Sequence, residues 1–400
     1  MRILMLSWEY PPHIVGGLGA HVAEALPALA RDGAAVTLVT PRWKGGAEAE
    51  WVHPNARVYR VTPPVSEISN FFADVQQTNL TLEQFAHMAW EQADGFDLIH
   101  AHDWLVGFAA QALKKIYKTP LIVTIHATER GRGRGALHGE MAQAIHGAEW
   151  WLTYEAWRVI ATSRFMADEV QRYFDLPQDK IAVIPNGVDA SRYAALSATE
   201  RDAWRAQWAE PHERIVYFVG RLQQEKGLFV LVDAARQALA VAPNVKFIIA
   251  GTGSILGALR AQVQAWGLSD RIWLPGYISD MMRDQLFQMA DVAVAPSLYE
   301  PFGIVALEAM AAQCPVIVSD VGGLSEVVDD GLTGIKIPPD RSDLLAQAIL
   351  QSLNARAQAA EMAERAYAVV CRMYTWDHIA RAHVNLYHDV MERRRATVWH

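Results

Sequence analysis

The sequence has few cysteines and no excess of positive charge. Two cysteines, Cys314 and Cys371, are too few for a disulfide framework or a four-thiolate zinc site. With 36 basic against 44 acidic residues, the net charge is −8 at pH 7, without the basic surplus that drives binding to nucleic acid or anionic membranes. The scarcity of cysteine fits a protein of the reducing cytoplasm, and the charge balance means that any anion site must be built locally.

Long apolar runs are also missing. The apolar stretch at residues 2–6 is followed at once by Glu9 and a proline pair, so it is too short for the core of a signal peptide. Other apolar stretches are interrupted well before the 18 or so residues that a membrane-spanning helix needs. We therefore expect a soluble protein with no stable membrane association.

What the sequence does contain is a regular alternation of structural signals. Hydrophobic residues make up 52% of the 400, enough for two or three domains with separate cores. Short β-branched runs alternate with longer amphipathic segments, which is typical of βα units that wind a parallel sheet. The expected strands are residues 2–6, 36–40, 57–61, 97–100, 121–125, 159–161 and 181–184, then 215–219, 245–250, 271–274, 292–295 and 316–319.

A Pro-Asn-Gly turn at residues 185–187 separates the two series of strands. The sequence therefore predicts an α/β protein with two Rossmann-like domains, residues 1–189 and 190–375, facing a central cleft. A final helix from Trp376 to about residue 395 would pack back on either domain, and we group residues 376–400 with the first. In such sheets ligands bind beyond the carboxyl ends of the strands, so residues that follow strands are the candidates for a site.

Two loops after strands contain groups suited to phosphate. Gly16 and Gly17 precede a helix expected at about residues 20–32, and such glycines let backbone N–H groups approach an anion at the positive end of the helix dipole. Arg221 and Lys226 lie on one loop and can both donate charge-assisted hydrogen bonds to a diphosphate. The alternatives remain open, since a tight turn without a ligand and a solvated Arg/Lys pair have the same sequences.

A third loop, residues 297–310, combines two carboxylates with the start of a helix. Glu300 precedes this helix and Glu308 lies one to two turns into it, so the two could meet different parts of one ligand. Free N–H donors for a diphosphate are expected at Gly303, Ile304 and Val305. On spacing alone, a helix-entry carboxylate and a surface glutamate explain the pattern equally well.

Taken in order, these motifs resemble those of retaining glycosyltransferases with the two-Rossmann GT-B fold, in the broad family 4-like group that includes glycogen and starch synthases. The resemblance covers nearly the whole chain. It rests on Gly16-Gly17-Leu18-Gly19, His100-Ala101-His102-Asp103-Trp104, His126, Pro185-Asn186-Gly187-Val188-Asp189, Arg221 with Lys226, Glu300-Pro301-Phe302-Gly303 with Glu308, and Gly322-Gly323-Leu324.

The resemblance implies roles for individual residues. Four residues would be catalytic. His126 would lie against the donor sugar, Glu300 would contact that sugar, and Arg221 and Lys226 would bind the leaving diphosphate. The phosphates of the donor would contact Gly16 and Gly17, its base would contact Tyr277 and Ile278, and its ribose would contact Glu308. The donor would also contact the start of a helix, at Phe302, Gly303, Ile304 and Val305. His102 and Asp103 would line the acceptor side.

The chemistry of this reaction agrees with those roles and requires no metal or cofactor. Negative charge develops on the leaving diphosphate, where cations and N–H donors lower the barrier by about 3 kcal/mol each, by analogy with oxyanion donors. No Asp-x-Asp motif stands out, and His100, His102 and Asp103 lack an obvious third ligand on one face. We therefore expect no essential divalent ion.

One position departs from the pattern. ADP-glucose-dependent glycogen and starch synthases resemble each other in a lysine two positions before the paired glycines, where this chain has Ile14. His13 could replace that charge only in part, because a histidine is partly protonated at neutral pH. The sequence thus leaves the nucleotide open between ADP and UDP.

Signals for the acceptor are weaker. The Arg- and Gly-rich segment at residues 128–135 is either a lid that orders on binding or a mobile loop tip with solvated arginines. Trp150, Tyr154 and Trp157 share one helical face, and such a stripe is more often core than a platform for sugar rings.

The function expected from these features is transfer of glucose from ADP-glucose or UDP-glucose to the non-reducing end of an α-1,4-glucan, with retention, in the cytoplasm. The alternative enzyme is a soluble retaining hexosyltransferase for a small sugar, a sugar phosphate or a lipid-linked acceptor. A binding protein that has lost catalysis is less consistent with the presence of both carboxylates and both cations.

Overall fold

The computed structural model describes residues 1–64, 70–193 and 196–399, and the description below is limited to them. The chain divides into two compact units, Met1–Gly187 with Trp376–His400, and Val188–Thr375. Residues 65–69, 194–195 and 400, which fall inside the domain ranges expected from the sequence, lie outside the described residues. Each unit is a largely parallel sheet with connecting helices, so the prediction of an α/β protein with two Rossmann-like domains is confirmed.

The first unit is built on a sheet that is parallel except at one edge. Its strands are β1 (Arg2–Leu6), β2 (Ala35–Pro41), β3 (Ala49–His53), β4 (Ala56–Val61), β5 (Leu98–His102), β6 (Leu121–Ile125), β7 (Arg158–Ala161) and β8 (Ile181–Val183). Their order is β3-β4-β2-β1-β5-β6-β7-β8, with β3 antiparallel to β4. The edge strand β3 is absent from the expected strands, because its mostly exposed side chains leave no apolar pattern to recognise.

Helices cover the buried strands of this sheet. They are α1 (Gly17–Arg31), α2 (Phe71–Gln92), α3 (Gly107–Tyr117), α4 (Glu129–Arg132), α5 (Gly139–Glu155) and α6 (Arg164–Phe174). Every residue of β5 and β6 is buried, and β6 accordingly reads as a nearly continuous apolar run, whereas β5 carries two buried histidines. Helix α1 begins earlier than expected, at Gly17, and Pro27 is accommodated within it.

The second unit has the same architecture. Its strands are β9 (Arg214–Val219), β10 (Val245–Ala250), β11 (Ile272–Gly276), β12 (Val292–Ala295), β13 (Val316–Ser319) and β14 (Ile335–Ile337), in the order β11-β10-β9-β12-β13-β14. Its helices are α7 (Ala198–Arg205), α8 (Leu228–Val241), α9 (Leu256–Ala265), α10 (Asp280–Met289), α11 (Ile304–Ala311), α12 (Leu324–Val327), α13 (Ser342–Asn354) and α14 (Arg356–Met373). The short edge strand β14 is likewise absent from the expected strands.

The last helix, α15 (Trp376–Ala396), belongs to the first unit, where it packs against α1. The Trp376 indole donates a hydrogen bond to Glu24, and a Cβ at position 187 would lie 2.7 Å from the Trp376 ring, so Gly187 is needed for this packing. None of the helices in the described parts of the chain is long and apolar enough to cross a membrane.

Both sheets have a point where the strand order reverses. In the first unit it lies between β1 and β5, and in the second between β9 and β12. Loops leave such neighbouring strands in opposite directions and open a crevice at their carboxyl ends. Each unit therefore has a ligand crevice defined by its topology, and the candidate residues that follow these strands lie beside it.

Candidate active site

The loop after β1 is closed by its own carboxylate. Glu9 Oε2 accepts hydrogen bonds from the backbone N–H groups of Val15 (2.8 Å) and Gly16 (3.1 Å). A Cβ at Gly19 would lie 2.7 Å from that same oxygen, so the glycine allows Glu9 to fold across the loop. The Gly16 amide, expected to bind donor phosphate, already holds an anionic group. Gly17 is the first residue of α1.

A buried histidine cluster lies beside this loop. Four of its members are buried, namely His21 on α1, His100 and His102 on β5, and His383 on α15, and the half-buried His126 follows β6. The ring centroids of His21 and His126 are 4.9 Å apart, and those of His100 and His102 are 4.3 Å apart. The parallel register of β5 and β6 places their carboxyl ends side by side, which brings residues distant in sequence into one cluster.

Hydrogen bonds fix the outer members of the histidine cluster. His21 Nδ1 lies 2.6 Å from Asn186 Oδ1, so the nitrogen donates. His100 lies 2.8 Å from the hydroxyl groups of both Tyr387 and Thr124. The Pro-Asn-Gly turn, which in the sequence marks the domain boundary and is one of the motifs of the resemblance, thus also contributes a side chain to the first unit's site.

His126 is held through both its side chain and its main chain. Its Nε2 lies 3.1 Å from His102 Nδ1, and its backbone N–H donates to Asp103 Oδ1 at 2.7 Å. Asp103 adopts a positive φ of 58°, which turns its carboxylate toward β6. His102 and Asp103 are both buried and contact His126 rather than an open surface, so the acceptor role expected for them stays a prediction.

Burial suppresses charge throughout the first unit's site. It lowers the pKa of His126 to about 3 and that of His383 to about 4, and it holds the pKa values of His21, His100 and His102 well below the usual range. It also raises the pKa of Asp103 to about 7, against the opposing hydrogen bond from the His126 amide. Burial therefore favours the uncharged form of these imidazoles.

The same cluster offers a possible set of metal ligands. Nitrogen atoms of His21, His102 and His126 lie within 4.8 Å of one another. Nitrogen ligands around a tetrahedral zinc ion, at about 2.0–2.1 Å from the metal, would lie only about 3.4 Å apart. His102 Nδ1 and His126 Nε2, which are 3.1 Å apart, already lie near that separation, and the absence of an essential metal stays a prediction.

The Arg- and Gly-rich segment after His126 forms a capped turn of helix. Thr128 caps α4 by accepting a hydrogen bond from the Gly131 N–H, and Arg130 donates to Gly135 O at 2.9 Å. The backbone N–H of Glu129 donates to both oxygens of Glu149, whose pKa burial raises to about 8.

The aromatic residues of α5 are not core. Trp150 and Tyr154 are 45% and 63% exposed, and their rings are stacked with centroids 5.5 Å apart. The prediction that this stripe is core is therefore wrong for these two residues, although Trp157 packs partly buried against the core.

In the second unit, loops after three neighbouring strands meet. Lys226 Nζ, after β9, lies 2.7 Å from Glu300 Oε2, after β12, and Ser297 Oγ donates to the same oxygen at 3.1 Å. The backbone N–H of Gly323, after β13, donates to Glu300 O at 2.9 Å. A Cβ at Gly227, whose φ is +67°, would lie 1.9 Å from Pro296 O, so only glycine lets the first two loops approach so closely.

The other cation of this site is oriented differently. Arg221 is exposed and its Nη2 lies 3.4 Å from Glu225 Oε1, within the same loop. Glu225 in turn fixes the neighbouring loop, because its backbone carbonyl accepts from the N–H of Leu298 at 2.7 Å. An exposed guanidinium held by one weak ion pair is available to an anionic ligand.

Helix α11 begins as expected from the sequence. Gly303 precedes it with a φ of +105°, and Ile304 and Val305 form its first turn. Phe302 is buried beneath it. The remaining donor-side residues differ in exposure: Tyr277 is 77% exposed and Ile278 is buried, and Glu308 is buried with an oxygen 3.7 Å from Arg283 Nε.

Several residues of these sites have no clear signal in the sequence. His21, Asn186, His383 and Tyr387 become recognisable only through contacts made over long sequence separations. His383 and Tyr387 lie four positions apart on α15, a spacing that puts them on one helical face and is the available clue.

Comparison with known proteins identifies the family. The model for glycosyltransferase family 4 matches residues 15–192, and that for glycosyl transferases group 1 matches residues 200–369. An uncharacterised glycosyltransferase of Methanocaldococcus jannaschii is 36% identical over 98% of this chain and 99% of its own length. A glycogen synthase of Mycobacterium tuberculosis is 34% identical over 97% of this chain and 94% of its own.

Solved structures agree with the sequence comparison. A sucrose-phosphate synthase from Thermosynechococcus elongatus superposes with a TM-score of 0.84 at 26% identity, covering 98% of this chain and 99% of its own. The two sheets, the two matched families and the full-length relatives lead to one conclusion: the chain is an enzyme of the GT-B glycosyltransferases, in the group that includes glycogen and sucrose-phosphate synthases.

Proposed function

We propose that the protein transfers glucose from ADP-glucose or UDP-glucose to the non-reducing end of an α-1,4-glucan, with retention of the anomeric configuration. The observation that carries the proposal is the contact of Lys226 and Ser297 with one oxygen of Glu300 at the strand-order reversal of the second unit. This arrangement sets a cation and a carboxylate side by side, as a donor with a charged diphosphate and a neutral sugar requires.

The proposed reaction assigns the diphosphate to the cations. The bond between the anomeric carbon and the phosphate oxygen breaks, and Arg221, Lys226 and the N–H groups at the start of α11 stabilise the charge that develops on the leaving group. Gly16 and Gly17 would contact the phosphates once Glu9 releases the Gly16 amide. Tyr277 and Ile278 are assigned to the base of the nucleotide. Phe302 is assigned to the wall of the donor site, and Glu308 to the ribose.

The sugar is assigned to groups that carry little or no positive charge. Glu300 would accept hydrogen bonds from sugar hydroxyls, and His126 would act as a neutral imidazole, because its lowered pKa makes it a poor proton donor at neutral pH. The acceptor hydroxyl attacks the anomeric carbon from the face that the phosphate leaves, and its proton passes to the departing phosphate oxygen. Attack on that face retains the configuration.

The glucan acceptor is supported by the glycogen synthase relative, which aligns along almost the full chain. The second candidate is transfer to a small sugar or sugar phosphate, which the similarity to a sucrose-phosphate synthase favours. The scarcity of cysteine supports a cytoplasmic location, which stays a prediction.

The test is incorporation of labelled glucose into glycogen from each nucleotide sugar, with EDTA present. We expect incorporation from at least one donor and an α-configured product by NMR. Glu300→Gln should abolish most of it, whereas Glu361→Gln, an exposed carboxylate on α14, should not. Nucleotide binding without incorporation from either donor would reject the glucan acceptor, and loss of activity in EDTA would reject the metal-free mechanism.

A further inference from the structure

The carboxylate assigned to the ribose belongs to a chain of contacts between charges of alternating sign, all within the second unit. The chain runs from Arg192, in a short helical turn before α7, through Asp284 and Arg283 on α10, to Glu308 on α11. The four side chains are 24%, 17%, 22% and 9% exposed, in that order. Water screens such charges only weakly, so each of them acts strongly on its neighbours.

The first contact of this chain fixes Asp284. Arg192 Nη2 lies 2.8 Å from Asp284 Oδ1, and Arg192 Nε donates to Oδ2 at 3.2 Å, so the guanidinium and the carboxylate meet through two contacts. A pair of this geometry holds the orientation of a carboxylate as well as its charge. Burial raises the pKa of Asp284 against the opposing effect of Arg192, so Asp284 depends on this partner for its negative charge.

Arg283 lies between two carboxylates. Its Nε donates a hydrogen bond to Asp284 Oδ1 at 3.1 Å, and the same nitrogen is 3.7 Å from Glu308 Oε1. The second distance is too long for a hydrogen bond but is that of an ion pair. Arg283 Nη1 also lies 3.1 Å from Asp280, one turn earlier on α10. The acids of α10 thus hold the guanidinium in place, while its charge acts on Glu308.

Tyr217, on β9, lies near both carboxylates. Burial raises the pKa of its phenol, and the negative charges of Glu308 and Asp284 raise it further. Two carboxylates near one phenol repel each other, and repulsion together with burial favours protonation of one of them. A protonated carboxyl accepts fewer hydrogen bonds than a carboxylate, whereas the hydroxyls of a ribose are both donors. The Arg283 guanidinium, which contacts both carboxylates, offsets this repulsion.

We propose that Arg283 is a positioning residue for nucleotide recognition, whose positive charge holds the Glu308 carboxylate as an acceptor for both ribose hydroxyls. Arg192 supports Arg283 by fixing Asp284. The inference rests on the proposed function, which assigns the ribose to Glu308. It makes recognition of the ribose depend on a residue that acts through Glu308 and not through a contact of its own with the donor.

The test compares nucleotides with and without ribose hydroxyls. ADP, UDP and their 2′,3′-dideoxy counterparts are titrated into the full chain, without acceptor, by calorimetry. We expect the unaltered protein to bind at least one ordinary nucleotide at least about tenfold more tightly than its dideoxy counterpart, because a charged acceptor strengthens both hydrogen bonds. Glu308→Gln keeps an oxygen acceptor but removes the charge, and should lower this preference at least about threefold.

Arg283→Met removes the positive charge and keeps an unbranched side chain. It should lower the preference at least about threefold, while affinity for the dideoxy nucleotide changes by less than about twofold. Arg283→Lys restores a cation and should keep the preference within about twofold of the unaltered protein. Arg341→Met is the matched control, because it removes a half-exposed arginine that is paired with Asp343, and it should leave the preference unchanged.

Three results would contradict the proposal. The first is a preference that is the same in Arg283→Met and in the unaltered protein. The second is an equal loss of affinity for ordinary and dideoxy nucleotides in Arg283→Met, which a merely structural role would give. The third is a preference as low in Arg283→Lys as in Arg283→Met, since positive charge would then not be the cause. A preference that is unchanged in Glu308→Gln would instead reject the ribose assignment of the proposed function, and the inference with it.

Discussion

Both units place polar groups at the crevice of a sheet, but the two differ in the charge that these groups carry. In the first unit the polar groups are buried and lose their charge, as the lowered histidine pKa values show. In the second unit groups of opposite charge are paired instead, with Lys226 Nζ 2.7 Å from Glu300 Oε2. The difference matches the proposed roles of the two groups of side chains, since the histidines of the first unit would lie against a neutral sugar and the cations of the second would bind the charged diphosphate.

Desolvation accounts for both solutions. An isolated ion in a low-dielectric interior is so costly that the group changes protonation instead, which is the outcome at Asp103 and in the histidine cluster. In a close pair of opposite charges each group offsets part of the desolvation cost of the other, and a charged ligand can take the place of one partner. The first unit therefore provides shape and hydrogen bonds, and the second provides charge.

We expect the largest effect on activity from substitutions of the charged residues assigned to the donor. Glu300→Ala should lower the rate of glucose transfer about 100- to 1,000-fold while nucleotide affinity changes little, because the lost contact is with the sugar and Lys226 stays free for phosphate. Lys226→Ala should weaken nucleotide diphosphate binding as well as the rate. Steady-state kinetics and calorimetry with ADP and UDP measure both.

The double variant sharpens this comparison. Because Lys226 and Glu300 contact each other, the two losses should be non-additive by at least about 0.5 kcal/mol. Lys336→Ala, on β14, provides a matched loss of one lysine. Nucleotide affinity that is equal in Lys226→Ala and in the unaltered protein would remove Lys226 from the diphosphate site.

The contrast between the units also bears on what can be predicted from the sequence. The Lys226 and Glu300 loops each follow a predicted strand and carry their charges in short motifs, so local pattern is sufficient to select both loops as candidates. Strands buried on both faces are also predictable, because short, continuous apolar runs between turn residues are typical of them. The edge strands β3 and β14 escape prediction because their short, half-exposed sequences lack such a signal.

The first unit's site is harder to predict because its contacts are long-range. His100 pairs with Tyr387 across 287 positions and His21 with Asn186 across 165, and no local motif encodes either pair. His126 is predicted by its position after a strand, but its coupling to His102 and Asp103 depends on the register of β5 against β6. Likewise, no pattern indicates that Glu9 occupies the Gly16 amide.

A smaller effect, on stability and its pH dependence, is expected at the buried carboxyl of the first unit. The pKa of Asp103, about 7, lies above its ordinary value of 3.8, so the folded state binds this proton more tightly than the unfolded chain. Its contribution to stability therefore falls as pH rises from about 4 to about 7, by at most about 1.4 kcal/mol per pH unit. Asp103→Asn removes that dependence and tolerates the positive φ.

The measurement is the free energy of unfolding from urea titrations between pH 4 and 8. The difference in the free energy of unfolding between Asp103→Asn and the unaltered protein should increase in favour of the variant up to about pH 7 and then stay constant. Asp377→Asn, an exposed carboxyl at the start of α15, serves as the control. An advantage that is the same at pH 4.5 and pH 7.5 would show that burial does not suppress the charge of Asp103.

The smallest effect is expected from a single buried hydroxyl of the histidine cluster. Tyr387→Phe leaves the packing of a fully buried ring intact but removes the partner of His100 Nδ1, so it should lower the free energy of unfolding by about 1–2 kcal/mol. Tyr154→Phe, an exposed tyrosine of the same unit, should change it by less than about 0.5 kcal/mol. Amide exchange in β5 and α15 assigns the loss to the first unit, while ADP and UDP affinity should not change. A cluster held together by packing alone would give equal stabilities for the two variants, whereas one held by its hydrogen bonds must distinguish them.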